Sequence, residues 1–316
     1  MKIVFLDAKT LGDDINLSAV YDLGDICIYE NTPQSEVENV ILDADVVVLN
    51  KLKLNESNLA NAKNLKLICV TATGYDNIDI QYCKSRNIAV CNVVGYSSNS
   101  VAQVTAALAL SLYTNLPDYT EYVNTGNYTK SGVANKLTPV YREMSGKIWG
   151  VVGLGSIGRQ VANIASALGC KVIAYKRTPD TIIPCCNLSY LFKKADIISI
   201  HLPLNNETKG IIDKELISLM KEDAILINVA RGAITDESAL AQAVLENKIG
   251  GIGIDVYSEE PFSETHPFYK LLGNKKALFT PHMAWGAYES RQRCLDEVIK
   301  NIKSFFSGGT KNRLDI

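Results

Sequence analysis

The sequence predicts an α/β protein made of two doubly wound, parallel-sheet domains, the first of them discontinuous. Three observations carry that prediction. Short apolar runs rich in β-branched residues alternate with helical segments along almost the whole chain. Most of these runs are apolar at successive positions rather than at every other one, as in strands covered by helices on both faces. The 316 residues also divide into two such series, each long enough for a domain of ~100–200 residues.

The first series comprises Ile3–Leu6, Val46–Leu49, Leu67–Val70 and Ile88–Val90. Ser97 to Leu116 then reads as one helix, with Val101, Val104, Leu108 and Leu112 on one side and Ala102, Ala106, Ala107 and Ala109 on the others. A helix apolar all round is a buried one, and its alanines permit a neighbour to approach closely. Pro117 to Met144 is polar and tyrosine-rich, with Gly126, Gly132 and Pro139. A connection this long is usually functional or reaches out of its domain. Helix and arm together, about 98–145, are expected to form a homodimer contact, against the alternative of a solvated loop. The second series is Ile148–Val152, Val172–Tyr175, Ile197–Ile200, Ile225–Val229, Ile252–Val256 and Leu278–Phe279. A last helix, Ala287 to Phe306, has Leu295, Val298, Ile299, Ile302 and Phe306 on one stripe and is expected to pack back on the first series. The expected domains are therefore 1–97 with 289–316, and 98–288.

Composition narrows the function classes. Hydrophobic residues are 47% and charged residues 21%, ordinary for a globular protein, and the formal net charge is −2. No Lys/Arg block stands out, so no nucleic-acid partner is expected. No run approaches the ~18 apolar residues of a membrane span. The start, Met-Lys-Ile-Val-Phe-Leu-Asp, reads as a strand rather than a secretory signal. Eight scattered cysteines without a Cys-x-x-Cys suit reduced thiols in a cytoplasmic protein. The three histidines, His201, His266 and His282, are not grouped with other ligands, so no metal is expected. His266, ahead of Pro267, is expected at the surface.

Ile148-Trp149-Gly150-Val151-Val152 runs into Gly153-Leu154-Gly155-Ser156-Ile157-Gly158. A helical pattern follows through Val161, Ile164, Ala165 and Leu168, then Gly169 and the strand Lys171–Tyr175. Gly-x-Gly-x-x-Gly between a strand and a helix is the dinucleotide-binding pattern of Rossmann-like domains. Gly153 would permit the tight turn, Gly155 the approach of backbone to a pyrophosphate, and Gly158 close helix–strand packing. The amides of Ser156 and Ile157 would meet the phosphates at the positive end of the helix. The competing ligand is S-adenosylmethionine.

In NAD-binding units the second strand ends in Asp or Glu, which accepts from the adenosine ribose 2′-OH. Here Lys176 stands in that place, with Arg177 beside it. Two cations would attract the 2′-phosphate that an acid would repel. NADP(H) is the expected preference, with NAD(H) the alternative if these charges are only solvated.

Three further segments follow strands, at the edge where ligands bind in open α/β sheets. Val229-Ala230-Arg231-Gly232 offers a guanidinium that can hold a carboxylate in a bidentate fork. Asp255-Val256-Tyr257-Ser258-Glu259-Glu260-Pro261 supplies carboxylates, one of which could orient a histidine. Thr280-Pro281-His282 supplies a side chain that gives and takes protons near neutral pH. Each alone has a commoner structural explanation. Their co-location with the glycine loop favours chemistry.

The combination resembles the D-isomer-specific 2-hydroxyacid dehydrogenase family over essentially the full chain, including Thr73-Gly74-Tyr75-Asp76-Asn77-Ile78-Asp79. Asn50-Lys51, Asn92–Ser97 and Pro281-His282-Met283-Ala284-Trp285 are most similar to its glycerate dehydrogenase and hydroxypyruvate reductase branch. The resemblance implies hydride transfer between nicotinamide C4 and substrate C2, with His282 protonating the developing alkoxide. Glu260 would stabilise the imidazolium, and Arg231 would bind the substrate carboxylate, with Lys51, Thr73 and Gly74 contributing to the substrate site. Asp255 would contact the nicotinamide amide. Cofactor contacts would also come from His201, Pro203, Thr208, Val229, Ala230, Arg231, His282 and Ala284.

The expected activity is 2-keto acid reduction, with hydroxypyruvate or glyoxylate favoured. Within the class the alternative is a D-lactate-type or longer-chain substrate. A non-enzymatic dinucleotide sensor could keep the glycine loop but has no need of an intact Arg–Glu–His set. A methyltransferase would have no use for His282 paired with Glu260.

Overall fold

The computed structural model describes residues 1–316. The chain divides into two compact units, Met1–Ser97 with Gly286–Ile316, and Ser98–Trp285. The second unit thus ends at Trp285 rather than at residue 288.

The first unit holds a five-stranded sheet of β1 (Lys2–Phe5), β2 (Asp25–Ile28), β3 (Val46–Leu49), β4 (Leu67–Val70) and β5 (Ala89–Cys91), in the order β2-β1-β3-β4-β5. All its pairings are parallel. β3 and β4 are buried at every residue, which is why they read as continuous apolar runs. β2 lies outside the four runs of the first series, although Ile26, Cys27 and Ile28 are apolar; it is an edge strand and only partly covered. The helix Tyr288–Phe306 buries Leu295, Val298, Ile299 and Ile302, whereas Phe306 is exposed.

The second unit holds a six-stranded parallel sheet: β6 (Ile148–Val152), β7 (Lys171–Tyr175), β8 (Ile197–Ile200), β9 (Ile225–Asn228), β10 (Gly251–Ile254) and β11 (Ala277–Phe279). Its order is β11-β10-β9-β8-β6-β7. The chain leaves β6 for β7 on one side and then returns to β8 on the other. The carboxyl ends of β6 and β8 therefore flank the point where the winding reverses, which is where such sheets open a crevice.

The helix Ser98–Tyr113 packs Val101, Leu108, Ala109 and Leu112 among Trp149, Val161, Ala165 and Ile227. It is not buried all round, as its composition suggested: Gln103, Ala107 and Leu110 face outward. The arm is not loop throughout either. It contains the helices Leu116–Asn124 and Asn127–Ser131, and it exposes Val133, Leu137, Val140 and Tyr141.

Candidate active site

The glycine loop lies at the switch point. Gly153 has φ +100°, and a Cβ there would sit 2.8 Å from the backbone of His201, so the loops after β6 and β8 touch at this residue. A Cβ on Gly158 would fall 2.1 Å from the Gly153 carbonyl oxygen. A Cβ on Gly155, in contrast, would meet nothing within 4 Å. Gly155 caps the helix Ser156–Ala167, whose first-turn amides have no acceptor within the helix. The loop is tight where the protein packs and open where a phosphate would lie, so the residues present fit a dinucleotide.

His201 follows β8, its amide bonded to Val152 O at 2.7 Å. The residue is partly exposed, yet both ring nitrogens are buried and have no hydrogen-bond partner. Burial pushes its pKa down to about 3, so the ring is uncharged at working pH. Two unsatisfied nitrogens beside the glycine loop are the kind of orphan a ligand completes. Pro203 and Thr208 close the same loop on itself, with Thr208 Oγ1 donating to Pro203 O at 2.6 Å.

At the end of β7, Lys176 Nζ lies 3.8 Å from Asp180 Oδ2, and Arg159 from the glycine-loop helix is bonded to the same carboxylate. Arg177 is exposed and pairs with Glu207 at 3.0 Å. The cations expected to face a 2′-phosphate are thus matched by acids. Arg159 and Asp180 escaped sequence reasoning because the pair is distant along the chain. The Ile182 amide, Arg159 and the Ile183 amide hold the Asp180 carboxyl well below the usual carboxylate range.

Three turns leave the adjacent strands β9, β10 and β11. After β9, the buried Asn228 clamps the turn from within: its Nδ2 donates to Arg231 O at 3.0 Å, and its Oδ1 accepts from Ala230 N at 3.0 Å. Val229 is buried here, and Arg231 Nη1 donates to Ala230 O at 2.8 Å. After β10, Asp255 is only 1% exposed. Its carboxylate accepts from Thr280 Oγ1 (2.6 Å), Met283 N (2.9 Å) and Ala284 N (2.9 Å). Asp255 therefore holds the turn that follows β11.

That turn carries His282 at φ +52°. Its Nδ1 lies 2.7 Å from Glu260 Oε2, with the two side chains 20% and 30% exposed. A carboxylate on Nδ1 fixes the ring's orientation and favours a proton there. Trp285 Nε1 donates to His282 O at 3.0 Å. The Tyr257 hydroxyl donates to Thr280 O at 2.9 Å, and burial raises its pKa, keeping it protonated.

Lys51, Thr73 and Gly74 belong to the first unit, in turns that follow β3 and β4. Asp7, after β1, accepts from the amides of Asn50 and Lys51, both at 2.8 Å. Burial raises the Asp7 pKa against the opposing pull of those amides. Thr73 Oγ1 donates to Val93 O at 2.7 Å, and Asn92 Nδ2 to Thr73 O at 2.8 Å.

His266 is not at the surface. It is 6% exposed and bonded to Glu237, which belongs to none of the motifs above. No three His, Cys, Asp or Glu side chains are grouped to hold a metal ion, and no helix is long and apolar enough to cross a membrane.

Comparison with known proteins gives the chain a family. Residues 106–284 match the family described as D-isomer specific 2-hydroxyacid dehydrogenase, NAD binding domain. The chain is 33% identical to a hydroxypyruvate reductase of Blautia hydrogenotrophica, covering 99% of both chains. It is 34% identical to a glycerate dehydrogenase of Methylorubrum extorquens, covering 98% of both. Among solved structures it resembles an acyclic imino acid reductase in complex with NADPH and D-Arg: TM-score 0.88, 30% identity, covering 99% of this chain and 100% of that one.

Proposed function

Because the chain belongs to the D-isomer-specific 2-hydroxyacid dehydrogenase family, we propose that it reduces a small 2-keto acid, hydroxypyruvate or glyoxylate, with His282 as the proton donor. The observation that carries this reading is the His282–Glu260 pair at 2.7 Å, on turns that leave strands next to the one bearing Arg231. The names of two relatives that match end to end, hydroxypyruvate reductase and glycerate dehydrogenase, support the substrate class.

The nicotinamide, when bound, supplies the hydride. Gly153, Gly155, Ser156, Ile157 and Gly158 would hold its pyrophosphate through backbone amides, and His201, Pro203 and Thr208 would line the adenosine side. Val229, Ala230, Asp255 and Ala284 would face the nicotinamide half. Arg231 would take the substrate carboxylate in a fork, and Lys51, Thr73 and Gly74 are the first unit's candidates for substrate binding. As the carbonyl oxygen gains charge, His282 Nε2 gives it a proton, while Glu260 stabilises the imidazolium and keeps the ring in line.

NADP(H) is the proposed preference over NAD(H). It rests on Lys176 and Arg177 standing where an acid would serve NAD; Asp180 and Glu207 are the acids that pair with them. The outward stripe of Gln103, Ala107 and Leu110 and the apolar residues of the arm support a homodimer built on that face. Eight free cysteines suit a reducing, cytoplasmic setting.

The test is a panel of 2-keto acids with NADPH and with NADH, followed by absorbance of the reduced nicotinamide. Hydroxypyruvate or glyoxylate should lead the panel, and His282→Ala should lower kcat by ~10²–10⁴-fold. Near-wild-type turnover in that variant would remove His282 from the chemistry. A panel led by bulky keto acids would overturn the substrate assignment.

A further inference from the structure

Behind the Glu260–His282 pair lies a second carboxylate–imidazole pair that the chemistry above leaves unused. Glu237 is 8% exposed and His266 6%. His266 Nε2 lies 3.0 Å from Glu237 Oε2. The Phe268 amide donates to His266 Nδ1 at 3.2 Å, which puts the ring proton on Nε2 and makes it a donor to the carboxylate. Ser258 fills the remaining capacity: its amide donates to Glu237 Oε1 at 2.9 Å and its hydroxyl to Oε2. Glu237 also opens the helix Glu237–Leu245, where the first-turn amides favour negative charge.

The next amide along, that of Tyr257, donates to Glu260 Oε1 at 3.1 Å. Consecutive amides of one turn are therefore gripped by two different carboxylates. One is in the core, and the other faces His282. A buried charged cluster is a weak source of stability, since apolar residues of similar volume often do as well. A fully satisfied one does fix geometry. Glu237 also continues the segment that begins at Arg231, so a single stretch carries Arg231 and the anchor for the turn of Glu260.

We propose that Glu237 and His266 are positioning residues: through Ser258 they hold the turn that presents Glu260 to His282, in register with Arg231. The proposal rests on the roles assigned above to Glu260 and His282.

The test is a double-mutant cycle on kcat, with nucleotide affinity and Tm measured in parallel. Glu237→Gln keeps the volume but faces donors with an amide group; Ser258→Ala removes only the hydroxyl and spares the fold. Each should lower kcat, roughly tenfold for Glu237→Gln, while nucleotide affinity stays nearly constant. In a Glu260→Gln background the same substitutions should cost less than about twofold, because the group they position has already been disabled. Wild-type turnover in both variants, or losses that simply multiply, would overturn the proposal while leaving Glu260 in place. If Glu260→Gln alone leaves kcat unchanged, the role of Glu260 falls and this proposal with it.

Discussion

A single methyl group at position 232 should disable the site. An ideal Cβ on Gly232 would lie 2.1 Å from the carbonyl carbon of Tyr257 and 2.2 Å from the amide nitrogen of Ser258. Non-bonded carbon atoms settle near ~3.5–4.0 Å, so the turns bearing Arg231 and Glu260 must part by more than ~1 Å. Both obstructing atoms are backbone, so no side-chain rotation relieves the clash. Parting the turns pulls Ser258 from Glu237 and Glu260 from His282 together. Misplacement on the order of 1 Å can cost ~10²-fold in rate, and overpacking typically destabilises by ~1–3 kcal/mol. Gly232→Ala should therefore lose about two orders of magnitude in kcat with only a moderate fall in Tm. Steady-state kinetics at saturating keto acid and nucleotide, with thermal unfolding alongside, would measure both. A folded variant with wild-type kcat would refute the requirement for this close approach.

Two further outcomes probe the cofactor side. Asp180→Asn removes the carboxylate that pairs Arg159 and Lys176, so kcat/KM for NADPH over NADH should rise several-fold; a ratio that stays put, or moves towards NADH, would sever these cations from selectivity. His201 should make the protein acid-sensitive. Its pKa is 6.5 in an ordinary setting and about 3 in the fold, so between those values the unfolded chain binds a proton that the native state does not. Stability then falls as pH drops from 6.5 towards 3, by at most ~1.4 kcal/mol per pH unit, and the penalty is absent above that window. His201→Leu should flatten this slope in Tm measured against pH, and an unchanged slope would contradict a buried, uncharged ring.

What the sequence made legible was local. The glycine loop, the arginine turn and the Thr280-Pro281-His282 turn each follow an apolar run within a few residues, so pattern and position could be read together. Pairings distant along the chain could not. Arg159 finds Asp180 across two elements, and His266 finds Glu237 from a segment, Ser263-Glu264-Thr265-His266, that looks like solvated loop. The arm's helices escaped notice because they are short and lie among Pro117, Gly126 and Gly132, although Leu116, Tyr119 and Val123 recur at helical spacing. The helix Ser98–Tyr113 misled in the opposite direction. Small apolar residues suggested burial on every side, yet one stripe faces outward in the single chain.

The backbone at His282 bears on which side chains its turn accepts. Five residues other than glycine have positive φ, and the other four are asparagines: Asn87, Asn115, Asn247 and Asn312. Asparagine and histidine both adopt that conformation more often than most residues, whose cost there is roughly 1–2 kcal/mol. The turn at position 282 therefore accepts asparagine as readily as histidine on backbone grounds. His282→Asn would keep a backbone that asparagine adopts at four other positions while removing the proton donor proposed above, so the turn's shape and its chemistry can be measured apart.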